Sequence, residues 1–150
     1  MILTSTVKFF NELSVHELYE IIKLRNEVFV VEQDCVYQDA DDKDQHSYHL
    51  MIKDGDSLLA YARILPPGIS YPEVSIGRVV SDPKARRTGA GRKLMAEALD
   101  FVSQKFAPCG VRISAQTYLR AFYTSLGFKE EGEVYLEDGI EHVEMVQYLE

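Results

Sequence analysis

Two hydrophobic periods divide the chain. In "SYHLMIKDGDSLLAYARIL", Ser47 to Leu65, apolar and polar residues alternate on both sides of Asp54-Gly55. Alternation is the signature of a strand, and this pair predicts a hairpin whose tight turn needs positive φ at its centre. Elsewhere the period lengthens to that of a helix. Leu94, Met95, Ala98, Leu99 and Val102 predict a helix from about Gly89 to Phe106. Leu18, Ile21 and Ile22 predict another, opening at Ser14, whose spacing to Glu17 is that of a capping box, and running through Arg25 to Phe29 into the β-branched "VFVVEQ". Further strands are expected over Thr6 to Leu13, Glu73 to Val80, Val111 to Ala115 and on either side of Asp138-Gly139, with a last helix in "TYLRAFYTSLGF" closed by Gly127. Between the first helix and the hairpin, "CVYQDADDKDQ" is acidic and aperiodic and reads as a loop. The order is β-α, several antiparallel strands, then β-α-β-α-β-β. It predicts an α/β fold built on one mixed sheet with helices on both faces.

Composition narrows the class. At 150 residues the chain is expected to form a single domain, 1–150, and an apolar fraction of 46% with nine tyrosines and seven phenylalanines supplies a sizeable core. No apolar run approaches the roughly 18 residues of a membrane span, and the amino terminus lacks the basic start of a signal peptide, so a cytoplasmic protein with no membrane partner is expected. A net charge of -8 argues against a general nucleic-acid binder and favours a small-molecule or peptide partner carrying positive charge. A second copy of the chain is a further candidate partner, as a homodimer. Cys35 and Cys109 are isolated and read as reduced thiols, and no metal is expected: the acidic loop with Asp39, Asp41, Asp42 and Asp44 has Lys43 where a calcium loop needs a third ligand. That loop is read either as solvated or as an electrostatic lip for a cationic acceptor. Arg25 and Arg63 are expected to pair with its acids, and His46 and His49 to be structural.

The basic residues are unevenly spread. Lys84, Arg86, Arg87, Arg92 and Lys93 place five of the sixteen within ten positions, around "ARRTGAGRKL". This is not a Walker loop, and Leu94 stands where a dinucleotide fingerprint requires its third glycine. A strand leading through glycines to a helix N-terminus is nevertheless suited to an anion, because free N–H groups and the helix dipole point at it. Alone, so short a pattern also suits an ordinary helix-start loop. Arg86, Gly89 and Gly91 do, however, match R-x-x-G-x-G, and this string resembles the coenzyme A pyrophosphate loop of the GNAT superfamily of N-acetyltransferases. "AFYTSLGF" resembles the same superfamily, and "LRNEVFVVEQDCVYQDADDKDQHSYHL", "ARILPPG" and "SIGRVV" are similar to its ElaA-like branch, so the likeness runs from about Leu24 to the end.

The resemblance implies a GNAT-type, centrally splayed sheet and acetyl-CoA as cosubstrate. It implies that Arg86, Arg87, Thr88, Gly89, Ala90, Gly91 and Arg92 receive the pyrophosphate and that Val79 and Val80 offer backbone groups to the pantetheine. Tyr123 would lie beside the thioester sulfur. Where many members carry Asn after the fifth strand, this chain has Ala115-Gln116. The implied reaction is direct attack of a primary amine on the thioester. An amine of pKa about 10.4 is unprotonated in roughly one molecule in 2,500 at pH 7, a handicap of about 4.6 kcal/mol, so a proton acceptor is required. Glu32, Glu73, Glu141 and His142 are candidates, and Glu32 and His142 are carried with Tyr123 as catalytic residues. Two alternatives stay open: an acyl-homoserine-lactone-synthase-like acyltransferase, which "LRNEVF" and "ARIL" also resemble, and a non-catalytic acyl-CoA-binding sensor.

Overall fold

The computed structural model describes residues 2–150. Seven strands form one sheet in the order β1-β2-β3-β4-β5-β7-β6. They span Leu3–Phe9 (β1), Tyr48–Asp54 (β2), Ser57–Leu65 (β3), Val74–Ser81 (β4), Cys109–Gln116 (β5), Lys129–Glu137 (β6) and Ile140–Leu149 (β7). The helices are α1, Val15–Arg25, α2, Ala90–Phe106, and α3, Arg120–Ser125. All neighbouring strands are antiparallel except β4 and β5. No helix among the described residues is long and apolar enough to cross a membrane.

Strand alternation sorts side chains to two faces. Leu50, Ile52, Ala60, Ala62 and Ile64 point one way and pack with Leu94, Met95, Ala98 and Val102 of α2 and Tyr123 of α3. Met51 and Tyr61 point the other way, onto Ile21 and Leu24 of α1. The sheet is therefore covered on both sides, as the alternating order of elements predicts.

Both expected hairpins are present, and their turns explain their glycines. Gly55 has φ of +59°, and Asp138 and Gly139 are at +52° and +78°, the pair of positive angles a two-residue primed turn demands. Ser14 caps α1: its hydroxyl accepts from Glu17 N at 3.0 Å while Glu17 accepts from Ser14 N at 2.8 Å.

Three boundaries differ from the expected ones. β1 covers Leu3–Phe9 rather than Thr6 to Leu13, because its partner β2 begins at Tyr48, opposite Phe9, and the chain then turns at Phe10–Glu12. α1 gives way at Asn26 to a π-helical segment, Asn26–Glu32, where the β-branched valines crowd an ordinary turn. "TYLRAFYTSLGF" forms a tight turn at Thr117–Leu119 before the short α3.

Candidate active site

The sheet opens at its centre. β4 and β5 pair only at Val74↔Val111 and Ser75↔Arg112. Beyond Ser75, β4 carries an extra residue against β3, since Tyr61↔Val80 and Arg63↔Gly77 span two steps on β3 and three on β4. Arg78 takes φ of +48° within this bulge. A bulge bends its strand, and here it turns β4 away from β5 and leaves the edge around Val79 and Val80 without a β5 partner. The resulting wedge holds a cavity of about 840 Å³, within the size range of small-molecule sites.

The glycine loop stands at one end of this cavity. Asp82 accepts from Lys84 N at 2.9 Å, Pro83–Ala85 makes one tight turn, and Arg87 and Gly89 take φ of +66° and +83°. At Gly89 the backbone conformation, not crowding, demands glycine, because a Cβ there would meet nothing within 4 Å. The first helical bond that returns to the loop is Lys93 N to Gly89 O at 3.0 Å. Gly89 caps no amide, and the first turn of α2 contains no acid. The N–H groups of Ala90, Gly91 and Arg92 are therefore left for an acceptor from outside, and the loop fits an anion such as a pyrophosphate.

The side chains of the loop divide. Arg86, Arg87, Gly89, Ala90 and Gly91 line the cavity, as do Val79 and Val80. Thr88 and Arg92 do not. The Thr88 hydroxyl donates to Ala85 O within the loop, and Arg92 donates to Ser125 Oγ at 3.0 Å and lies over the Phe122 ring at 5.5 Å, tying α2 to α3. Only the backbone amide of Arg92 is available to the site. Lys93 pairs with Glu97 at 3.2 Å.

Tyr123, Glu32 and His142 share the same cavity. Tyr123 is buried between Phe122 and Phe128 in edge-to-face contacts, and desolvation pushes its phenol up to about 12. His142, on β7, stacks on Tyr135 and bonds Ile140 O through Nδ1 at 2.7 Å. A carbonyl can only accept, so Nδ1 donates this bond and Nε2 is the ring nitrogen left for another partner. Glu137 stands 3.4 Å from that nitrogen. Glu32 is held by both Nη atoms of Arg86, which keep its carboxyl below the ordinary range. Glu73 and Glu141 lie off the cavity wall: Glu73 is bound by Arg112 at 2.9 Å, and Glu141 is exposed beside Thr117. Gln116 lines the cavity at the end of β5.

The acidic loop is neither solvated nor a bare negative lip. Arg25 donates to Asp39 at 2.9 Å and to Asp44 at 2.8 Å, Arg63 donates to Asp41 and Asp44 at 2.8 Å, and Arg78 donates to Asp39 at 2.9 Å. Three arginines neutralise three aspartates, leaving Asp42 exposed. Burial would raise the Asp41 and Asp44 carboxyls, but these bonds and charges hold both well below their usual range. His49 completes the cluster, bonding Tyr61 Oη at 2.6 Å and Asp44 O at 2.9 Å. Sequence reasoning missed Arg78, which fixes the bulge and lines the cavity. Its signal was Gly77, an isolated glycine in a strand pattern. Among the described residues no cluster of three His, Cys, Asp or Glu side chains is arranged to hold a metal.

Comparison with known proteins places this architecture. The family profile described as "Acetyltransferase (GNAT) domain" matches residues 12–149. A UPF0039 protein of Schizosaccharomyces pombe is 48% identical over 92% of each chain, and the protein ElaA of Escherichia coli is 41% identical over 91% of each. The crystal structure of an acyl-CoA N-acyltransferase from Pseudomonas aeruginosa superposes with a TM-score of 0.93 at 43% identity, covering 97% of this chain and 99% of the other. That of Escherichia coli ElaA gives 0.92 at 38%, with the same coverage.

Proposed function

Because the chain belongs to the GNAT acetyltransferase family, in its ElaA-like branch, we propose that it moves an acetyl group from acetyl-CoA directly to the primary amine of a small-molecule or peptide acceptor. The observation that carries this reading is the common cavity. One wedge between β4 and β5 joins a loop with free amides to a buried phenol and a histidine whose Nδ1 is held by a backbone carbonyl.

When bound, acetyl-CoA supplies the activated acyl carbon. Ala90, Gly91 and Arg92 amides, with Arg86 and Arg87, receive its phosphates, and the unpaired edge of β4 at Val79 and Val80 receives the pantetheine. The acceptor reaches neutral solution as an ammonium and must lose a proton before it attacks. His142 Nε2 takes that proton, directly or through one water, and Glu137 stabilises the imidazolium so formed. As nitrogen bonds the acyl carbon and the carbon–sulfur bond breaks, the second nitrogen proton passes by way of solvent to the departing thiolate, to which Tyr123 donates a hydrogen bond. Full proton transfer from a phenol at about 12 to a thiol of ordinary pKa about 8.5 is uphill by about 5 kcal/mol, so Tyr123 acts by hydrogen bonding. The positive charge of the ammonium is the cationic character expected of the acceptor.

The test is release of coenzyme A thiol across a panel of primary amines, amino acids, polyamines and peptides, with the acetylated product identified by mass spectrometry. Amine-dependent release with an N-acetyl product supports the reading. Tight cofactor binding without release for any amine contradicts it.

A further inference from the structure

Glu32 and Arg86 stand 54 residues apart in the chain and meet at the cavity. Glu32 ends the π-helical segment, and Arg86 opens the glycine loop. Nη1 of Arg86 donates to Glu32 Oε2 at 2.7 Å, and Nη2 donates to Oε1. This is the parallel two-bond fork that guanidinium makes with carboxylates and, equally, with phosphates. Among the described residues it is the one side-chain hydrogen-bonded pair between the 26–32 segment and the loop.

We propose that Glu32 competes with the cofactor's pyrophosphate for Arg86, so that filling the cofactor site releases the Glu32 carboxylate from its counter-ion and Glu32 sets the affinity for acetyl-CoA. The inference rests on the acetyl-CoA reading above. The fork used by Glu32 is the same face of Arg86 that would embrace two phosphate oxygens, and one guanidinium cannot present it to both. This competition opposes binding, and it is relieved when Glu32 is neutral. Glu32 is thus a positioning residue that acts through Arg86. The other titratable groups acting on Arg86 are Asp82 and Tyr118, and neither offers it a hydrogen bond.

The competition gives Glu32→Gln an unusual sign, since removing a charge from the cavity wall strengthens binding. Exposed ion pairs contribute little, so the expected gain in acetyl-CoA affinity is about two- to fivefold. Calorimetric titration of acetyl-CoA into wild type, Glu32→Gln, Arg86→Ala and the double variant separates the proposal from a general field effect. Glu32→Gln tightens binding in the wild-type background and changes nothing once Arg86 is absent. S-Acetylpantetheine, which lacks the phosphates, binds both wild type and Glu32→Gln alike. Carboxyl carbon NMR supplies a direct signature: Glu32 titrates below the ordinary carboxylate range in the free protein and moves upward in the coenzyme A complex. Glu32→Ala repeats the affinity test, and thermal melting confirms folding of each variant. Wild-type binding with no gain in either Glu32 variant overturns the inference alone. So does a gain that survives in the Arg86→Ala background, or a Glu32 titration unmoved by coenzyme A. Absence of acetyl-CoA binding to wild type overturns the functional reading, and this inference with it.

Discussion

Replacing Tyr123 with Phe removes one oxygen from a ring whose packing stays intact. The ring is 6% exposed and held edge-on by Phe122 at 5.2 Å and Phe128 at 6.0 Å between centroids. Its hydroxyl has no hydrogen-bond partner among the described residues, so no buried group is orphaned and stability should change by less than about 0.5 kcal/mol. The loss falls on the departing thiolate instead. A hydrogen bond to a charged group contributes roughly 1.5 to 3 kcal/mol, and a tenfold rate change corresponds to about 1.4 kcal/mol. Turnover should therefore fall by roughly 10- to 150-fold while affinity for acetyl-CoA stays within about twofold. Thiol release under saturating acetyl-CoA gives kcat, calorimetry gives the affinity, and a thermal melt confirms the fold. Unchanged turnover refutes the reasoning. So does an equal loss in turnover and affinity, which would make Tyr123 a packing residue of the cofactor site.

The remaining predictions concern proton transfer and the buried charges. His142→Gln should lower kcat by about 10²- to 10⁴-fold, the usual contribution of a general base; an unchanged kcat assigns the proton to another group. Asp44→Asn breaks a pair with two arginines that are 1% and 4% exposed, so chemical denaturation should show a loss of about 3 to 5 kcal/mol. The depressed carboxyls of Asp41 and Asp44 contribute stability that is fully present above their unfolded pKa of about 3.9 and lost as pH falls toward their folded values, so Asp44→Asn should flatten the fall of Tm below about pH 4. His49, whose folded pKa burial depresses, binds its proton more readily when unfolded, so stability should begin to fall as pH drops through about 6.5; a His49→Phe protein whose Tm retains that fall assigns it elsewhere.

What could be read from the sequence was local. Gly55, Asp138-Gly139 and Gly89 mark positions where a few residues dictate backbone angles, and the α2 stripe follows from a single period. Interactions across long loops were less legible. Arg78 reaches Asp39 over 39 residues and Arg86 reaches Glu32 over 54, and nothing in the spacing of such pairs specifies which acid meets which base. The ion pairs of Arg25 and Arg63 could be anticipated from charge alone, but their burial could not, and that burial turns an apparent acidic lip into a neutral support for β3 and β4. The loop motif presented Thr88 and Arg92 as equals of Gly89 and Gly91. Their side chains are instead committed to Ala85 and Ser125, a distinction that depends on where α3 packs.

The central claim is that the loop between β4 and α2 holds the pyrophosphate of acetyl-CoA. Calorimetric titration into wild type and Gly89→Val tests it most directly. Valine is strained at φ of +83°, by roughly 1 to 2 kcal/mol, and sets branched carbons in the open space before the free amides. The account predicts saturable binding on the order of micromolar in wild type and a loss of at least about tenfold in the variant, with the fold retained by thermal melt. Equal affinity in both proteins, or no binding to wild type, would contradict it.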